Sequence, residues 1–219
     1  MKILVAEDID SISLGIQKAI QEYKDFEIVH ARYCDEALLK FKKAELDGQP
    51  FDLIISDLSF KTDYKENVLQ NGSDLVKAIR TINQIVPIIV YSIEDKTYVI
   101  KNLFELNDIN GYVLKGRNST TELLEAIKTV LAKDKYISRE INHVLQRKNT
   151  LEIEQYDIFL LEKLANGLSQ SEISNDFNDQ EISPSSVSAI EKRINKLKIQ
   201  FQAKNSIQLV ALVKDLGII

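Results

Sequence analysis

The sequence is short of the residues that staple a chain or hold a soft metal. Its 219 residues include one cysteine, Cys34, so no intramolecular disulfide can form, and the chain fits a reducing compartment. Cys34 lies among apolar positions at a predicted helix start, which suits a small buried hydrophobe better than a reactive thiol. His30 has no second histidine nearby to make a metal pair. Tryptophan is absent. No apolar run reaches transmembrane length, and Glu7, Asp8 and Asp10 interrupt the segment a signal peptide would keep apolar. A cytoplasmic protein with no membrane partner is expected. Positive charge is not in excess either: the formal net charge is −5, so any nucleic-acid surface must be local. A hydrophobic content of 44% and a charged content of 28% suit a globular chain of one large or two modest domains.

What is present centres on Phe51-Asp52-Leu53-Ile54-Ile55-Ser56-Asp57-Leu58. A short apolar run without alternation reads as a strand buried on both faces, as in a parallel sheet. Asp57 then falls at the strand's carboxyl end, the edge of an open α/β sheet where ligands bind. Taken alone, Asp57 could equally cap a turn. Lys2-Ile3-Leu4-Val5-Ala6 is a second such run and ends on Glu7-Asp8. Those two acids could simply favour the start of the following helix. If the two strands are parallel neighbours, three carboxylates crowd one edge and call for a cation, with Mg²⁺ the natural fit to carboxylates and water. Pro87-Ile88-Ile89-Val90-Tyr91 ends on Ser92, and Gly111-Tyr112-Val113-Leu114 ends on Lys115. Singly, Ser92 reads as a turn residue and Lys115 as a solvated one. Together, acids, a hydroxyl and an ammonium suit a transferring phosphoryl group: metal and lysine offset charge, the hydroxyl donates, and a carboxylate attacks.

In chain order, strands at Lys2–Ala6, Phe26–His30, the Asp57 segment, Pro87–Tyr91 and Gly111–Leu114 alternate with helices predicted over Ser11–Tyr23, Asp35–Leu46, Ser73–Ile82, Asp95–Leu106 and onward from a capping box at Ser119-Thr120-Thr121-Glu122. Leu46 is placed on the inward face of its helix. A long polar loop, Ser59 to Asn71, follows Asp57. Five strands and five helices over residues 1–132 predict an α/β domain with a five-stranded, doubly wound parallel sheet. Residues 133–150 read as a linker, partly helical.

Residues 151–219 read as a small all-α domain of four helices. The first spans Glu152–Asn166, with Phe159 among its apolar residues, and closes on Gly167. Ser169-Gln170-Ser171-Glu172 is a capping box, and Ser183-Pro184 reads as an N-cap and first helical residue of a helix to about Lys198, with Val187, Ile190, Ile194 and Leu197 inward. The last helix runs from about Ser206 to Leu216. Two helices joined by a turn fit a helix-turn-helix. Acids outnumber bases here, yet Lys192, Arg193, Lys196, Lys198 and Lys204 cluster in or after the third helix. Ser185, Ser186 and Ser188 crowd its first turns, where a recognition helix meets bases and phosphates. Such a basic run can also be a solvated face.

On these motifs the chain resembles a bacterial two-component response regulator of the NarL/FixJ type: a receiver domain followed by a LuxR-type helix-turn-helix. The receiver motifs are Glu7-Asp8, Asp57, Ser92 and Tyr112-Val113-Leu114-Lys115. Leu164-Ala165-Asn166-Gly167-Leu168-Ser169-Gln170-Ser171-Glu172-Ile173 and Ile182-Ser183-Pro184-Ser185-Ser186-Val187 are similar to the LuxR-type segments before the turn and at the recognition helix. Asp57-Leu58-Ser59 and the long following loop bring it nearest the capsule-regulator branch. The resemblance implies a flavodoxin-like strand order 2-1-3-4-5. It implies Asp57 as phospho-acceptor, with Ser92 and Lys115 assisting. Asp8, Asp57 and the Ser59 carbonyl would hold Mg²⁺, with Glu7 acting through water, and Ser92 and Tyr112 would be the switch pair. It further implies a sensor histidine kinase or phosphotransfer protein as donor, a homodimer on phosphorylation, and double-stranded DNA bound through Ser185, Ser186, Ser188, Lys192, Arg193 and Lys196. The chain would be a phospho-acceptor rather than an enzyme, with at most slow self-dephosphorylation.

Three departures stand out. Ser59-Phe60 replaces the usual Met-Pro and an extended loop follows; the turn Asn178–Ile182 is longer than usual; so is Ile199–Asn205. Competing readings are a Mg²⁺-dependent phosphohydrolase of the haloacid dehalogenase type, which needs a second acid where Ser59 stands, a receiver whose C-terminal domain binds a protein, and a receiver that works without phosphorylation.

Overall fold

The structure, a computed structural model, describes residues 1–23, 26–61, 68–146 and 153–219. The chain divides into two compact units, Met1–Asp95 with Ile100–Gln146, and Lys96–Val99 with the residues after Gln146.

The first unit is built on short strands that bury both faces. β1 (Lys2–Ala6), β3 (Leu53–Ser56) and β4 (Ile88–Ser92) are almost wholly buried. β2 (Glu27–Ala31) and β5 (Gly111–Leu114) flank them. All pairings are parallel, in the order β2-β1-β3-β4-β5-β6, so the expected 2-1-3-4-5 sheet is present. Alternation along the strands turns Ile3, Val5, Leu53, Ile55, Ile89 and Val113 toward Ile16 and Ile20 of α1 (Asp10–Tyr23) and Leu123 and Ile127 of α5 (Ser119–Leu131). Each fully buried isoleucine contributes about 1.5–3 kcal/mol. α2 (Cys34–Leu46) lies against β1 and β2, and α3 (Gly72–Ile82) packs on α2; α4 (Thr97–Glu105) joins β4 to β5.

The sheet has a sixth strand where a linker was expected. β6 (Tyr136–Ile137) pairs with β5, and α6 (Arg139–Gln146) follows it. Ser138 N donates to Tyr112 O at 2.9 Å and Leu114 N to Ser138 Oγ at 3.0 Å, which fastens this stretch to the sheet. Within the expected linker 133–150, read as partly helical, the described residues form β6 and α6, and 147–150 lie outside the described residues. So do 62–67 of the long loop.

Two helix details also differ from expectation. The Ser119–Glu122 capping box does not form: Ser119 Oγ donates to Gly116 O at 2.9 Å, and the Glu122 carboxylate accepts from the Ser138 hydroxyl. Leu46 is 87% exposed, because it stands about 140° round α2 from buried Phe41.

Among the described residues from 153 onward, the second unit forms α7 (Gln155–Ala165), α8 (Gln170–Asp179), α9 (Val187–Gln200) and α10 (Ser206–Asp215). Its core gathers Leu160, Leu161, Ile173, Phe177, Ile190, Ile194, Leu197, Leu209 and Val213. Gly167 takes φ +84°, the left-handed geometry of a helix C-terminus. The Ser169 box forms, with Ser169 N donating to Glu172 Oε2 at 2.8 Å. α9 starts later than Ser183-Pro184 predicts. Ser186 is its N-cap, accepting from Ala189 N at 3.3 Å, while the Pro184 carbonyl is held by the Tyr156 hydroxyl. That leaves Val187 at the helix's first position, 43% exposed, rather than inward. Phe159 likewise faces outward.

Candidate functional site

Register brings the strand ends together. Ala6 pairs with Ser56, so Glu7 and Asp8 after β1 stand beside Asp57 after β3, and Asp57 N donates to Ala6 O at 3.0 Å. Carboxylate oxygens of Glu7, Asp8 and Asp57 all lie within 4.8 Å of one another. Ser92 pairs with Leu114, and Lys115 N donates to Ser92 O at 2.8 Å. The Lys115 ammonium then donates to Asp57 Oδ2 at 2.6 Å and Glu7 Oε2 at 2.8 Å. Asp57 Oδ1 accepts from Leu58 N at 2.6 Å and Ser59 N at 3.3 Å. The carboxylate is thus aimed from both oxygens.

Burial pushes the Glu7 carboxyl above its usual range; Lys115 opposes that shift and the Asp57 charge adds to it. Burial disfavours the Lys115 charge, but its bonds to Asp57 and then Glu7 outweigh this and raise its pKa. Among the described residues, the one ammonium of Lys115 is paired with two of the three carboxylates, which leaves negative charge over. Asp8 Oδ2 accepts from Lys61 N at 3.0 Å, whereas Asp8 Oδ1 is buried with no hydrogen-bond partner among the described residues. An all-oxygen set with surplus negative charge and an unpartnered buried oxygen fits a hard divalent cation.

Ser92 Oγ, at the same edge, is buried and without a hydrogen-bond partner among the described residues. Tyr112 is fully buried on β5, and its hydroxyl donates to Glu94 O at 2.5 Å, pinning the loop after Ser92. Burial, followed by the charges on Glu94 and Asp57, drives the Tyr112 pKa upward. Ser59 is exposed beside the acids.

One residue of this site escapes sequence reasoning. Gly72 N donates to Leu58 O at 2.9 Å, and a Cβ at Gly72 would stand 1.8 Å from the Asp57 carbonyl oxygen. Only glycine lets α3 begin this close to Asp57. The signal was the glycine in Asn71-Gly72-Ser73, where Asn71 Oδ1 caps α3 by accepting from Asp74 N at 3.0 Å.

The basic helix of the second unit is α9. Ser188, Lys192 and Lys196 lie exposed on one face, opposite Ile190, Ile194 and Leu197. Ser186 caps the helix, and Ser185 donates to Asn178 Oδ1 at 2.5 Å. Arg193 points elsewhere: Nη2 donates to Asp157 Oδ2 at 2.6 Å and to Glu154 Oε1 at 3.0 Å. Lys192, Lys196, Ala189, Tyr156 and Pro184 line a groove of about 520 Å³ with the Arg193 and Glu154 pair.

Residues 3–128 match the family described as response regulator receiver domain. No curated protein matches the chain. Among solved structures, the RcsB response regulator of Salmonella typhimurium aligns with a TM-score of 0.71 at 21% identity, covering 98% of this chain and 99% of that one. RcsB of Salmonella enterica serovar Typhimurium, bound to promoter rprA in the presence of phosphomimetic BeF3⁻, aligns with a TM-score of 0.66 at 22% identity over 99% of both chains. A LuxR-family two-component response regulator from Aurantimonas sp. SI85-9A1 aligns with a TM-score of 0.57 at 20% identity, covering 66% of this chain and 94% of that one. These likenesses are of fold. Among the described residues no helix is long and apolar enough to cross a membrane.

Proposed function

The chain belongs to the response regulator receiver domain family, and on that premise we propose that it is a two-component transcription regulator of the NarL/FixJ type that accepts a phosphoryl group on Asp57 and binds double-stranded DNA through its second unit. The observation that carries this reading is Asp57 itself, held at a strand end by Lys115 and two backbone N–H groups beside Glu7 and Asp8. A histidine kinase or phosphotransfer protein donates from phosphohistidine. The phosphorus–nitrogen bond breaks, a bond from phosphorus to an Asp57 carboxylate oxygen forms, and the imidazole leaves with the electron pair.

Lys115 offsets charge on the transferring oxygens, and Ser92 Oγ, lacking a partner, is placed to donate to one of them. Asp8, Asp57 and the Ser59 carbonyl would hold Mg²⁺, with Glu7 acting through water. When bound, the metal supplies positive charge to the phosphoryl oxygens. Drawing Ser92 toward the acyl phosphate re-sorts the loop that Tyr112 pins at Glu94, and that two-state surface favours a homodimer. Asp8→Asn is expected to weaken Mg²⁺ binding more than Glu7→Gln, because Asp8 has the unpartnered oxygen while Glu7 is already paired with Lys115. Calorimetry or NMR titration reads this, since no tryptophan reports it. Equal affinity in all three proteins would remove the metal assignment.

In the second unit, Lys192 and Lys196 would meet DNA phosphates, and Ser186 and Ser188, at the first turn of α9, would face bases. Ser185 and Arg193 spend their polar groups within the unit. Lys192→Ala is expected to weaken specific and random DNA alike and to lower the log–log salt slope by about one. Unchanged binding across salt in Lys192→Ala and Lys196→Ala would favour a protein-binding second unit.

Genome-wide binding-site sequencing with and without acetyl phosphate tests the whole reading. Discrete sites whose occupancy rises with the phosphodonor are expected. No discrete site in either condition would reject it.

A further inference from the structure

We infer that Tyr91 is a positioning residue for Lys115, holding the ammonium on the face of its ring while Ser119 fastens the ring in place. The inference rests on the reading of Lys115 as the group that steadies the phosphoryl oxygens.

The Lys115 ammonium has three protons to give. Two go to Asp57 Oδ2 and Glu7 Oε2. The Tyr91 ring lies on another side, with its centroid 5.3 Å from Nζ, within range for cation–π attraction. Alternation on β4 sets Tyr91 with Ile89, in the cluster that α1 and α5 cover, while its neighbour Ser92 carries the site hydroxyl.

The tether follows from counting hydroxyl protons. Ser119 Oγ donates its single proton to Gly116 O at 2.9 Å, so across the 2.7 Å contact between Tyr91 and Ser119 the tyrosine hydroxyl is the donor. Ser119 therefore grips two things at once: the backbone just after Lys115, and the ring on which the Lys115 ammonium rests. Tyr91 and Ser119 are both buried. A residue chosen only to fill the core would need neither the hydroxyl nor the ring face turned to Nζ.

The test compares Tyr91→Leu, Tyr91→Phe and Ser119→Ala in the full chain, with folding checked by circular dichroism. The first readout is the NMR shift of the Lys115 side-chain protons, which an aromatic face moves upfield and which needs no phosphorylation. The second is the rate of Asp57 labelling by acetyl phosphate. Tyr91→Leu is expected to lose the upfield shift and to label about tenfold more slowly, a loss within the range of one cation–π contact. Tyr91→Phe keeps the ring but gives up the bond to Ser119, and is expected to match Ser119→Ala, with part of the upfield shift and most of the labelling rate retained. Ser119→Ala is expected to lose part of the shift. Parent-like values of both readouts in Tyr91→Leu, or a Phe variant as impaired as the Leu variant, would overturn the proposal. Should Tyr91→Leu fail to fold, an unchanged Lys115 shift in Ser119→Ala overturns it. A parent that takes no label rejects the phospho-acceptor reading instead, and the shift still decides the role of Tyr91.

Discussion

Asp57→Ala is expected to take no label from a small phosphodonor, while Ser56→Ala labels like the parent. The contrast tests position along one strand. Ser56 is the last residue of β3, fully buried, and its hydroxyl donates to the Asp57 carbonyl at 2.7 Å, so it serves the strand rather than the site. Asp57 is the first residue past the strand, and both its oxygens receive donors at the edge. Of the two other acids, Glu7 has its oxygens on Lys115 and the Ile9 amide and Asp8 has one on the Lys61 amide, and in the proposed reading they serve the metal rather than the phosphoryl group. Loss of the Asp57 carboxylate should therefore bring labelling to background rather than pass it to a neighbour. Asp57→Asn keeps the shape without the nucleophile and should behave the same. The alanine variant should stay folded, because removing one of three crowded acids relieves repulsion and leaves Lys115 paired with Glu7. Undiminished labelling of either Asp57 variant, read by mass shift or intact-protein gel, would reject the acceptor assignment.

The site was legible because parallel strands announce themselves by unbroken apolar runs, and the chemistry sits one residue past each run. Ala6-Glu7, Ser56-Asp57, Tyr91-Ser92 and Leu114-Lys115 all obey this, and register then makes them neighbours. What periodicity missed depends on partners far along the chain. β6 has two residues, too few to show a period, and it is a strand only because Gly111 and Tyr112 offer it an edge. Ser119 and Glu122 have capping-box spacing, but Gly116, Tyr91 and Ser138 compete for their polar atoms and win. Ser183-Pro184 has the look of a helix start, yet Ser186, two residues after the proline, is the better placed cap. The contact of Gly72 with the backbone of Asp57 has no sequence period at all. It follows from where the loop after β3 returns to start α3.

Arg193→Ala is expected to loosen the second unit rather than simply to weaken DNA binding. In the sequence, Arg193 is one more base beside Lys192 and a natural phosphate contact. In the structure its guanidinium grips Asp157 through two parallel bonds, with Glu154 on the outside. Asp157 is fully buried, and it also accepts from Glu154 N at 3.0 Å, so it anchors the start of α7 to the middle of α9. The bonds to Asp157 come first among the causes that hold the Arg193 pKa above its ordinary value. Removing the arginine leaves a carboxylate in the interior without its counter-charge. Breaking such a pair costs about 3–5 kcal/mol, and the lower figure applies because the Arg193 side chain keeps 19% exposure. About 3 kcal/mol is a large share of what a small domain has to lose. Amide hydrogen exchange in α7 and α9 should accelerate in Arg193→Ala while exchange in β1, β3 and β4 stays put, and Lys192→Ala should leave both unchanged. Adding Asp157→Leu to Arg193→Ala should recover part of the loss, since the stranded charge goes with it. If Arg193→Ala instead exchanges like the parent and its DNA affinity falls with a salt slope lower by about one, the guanidinium leaves Asp157 for a phosphate, and the pair is a latch that DNA opens.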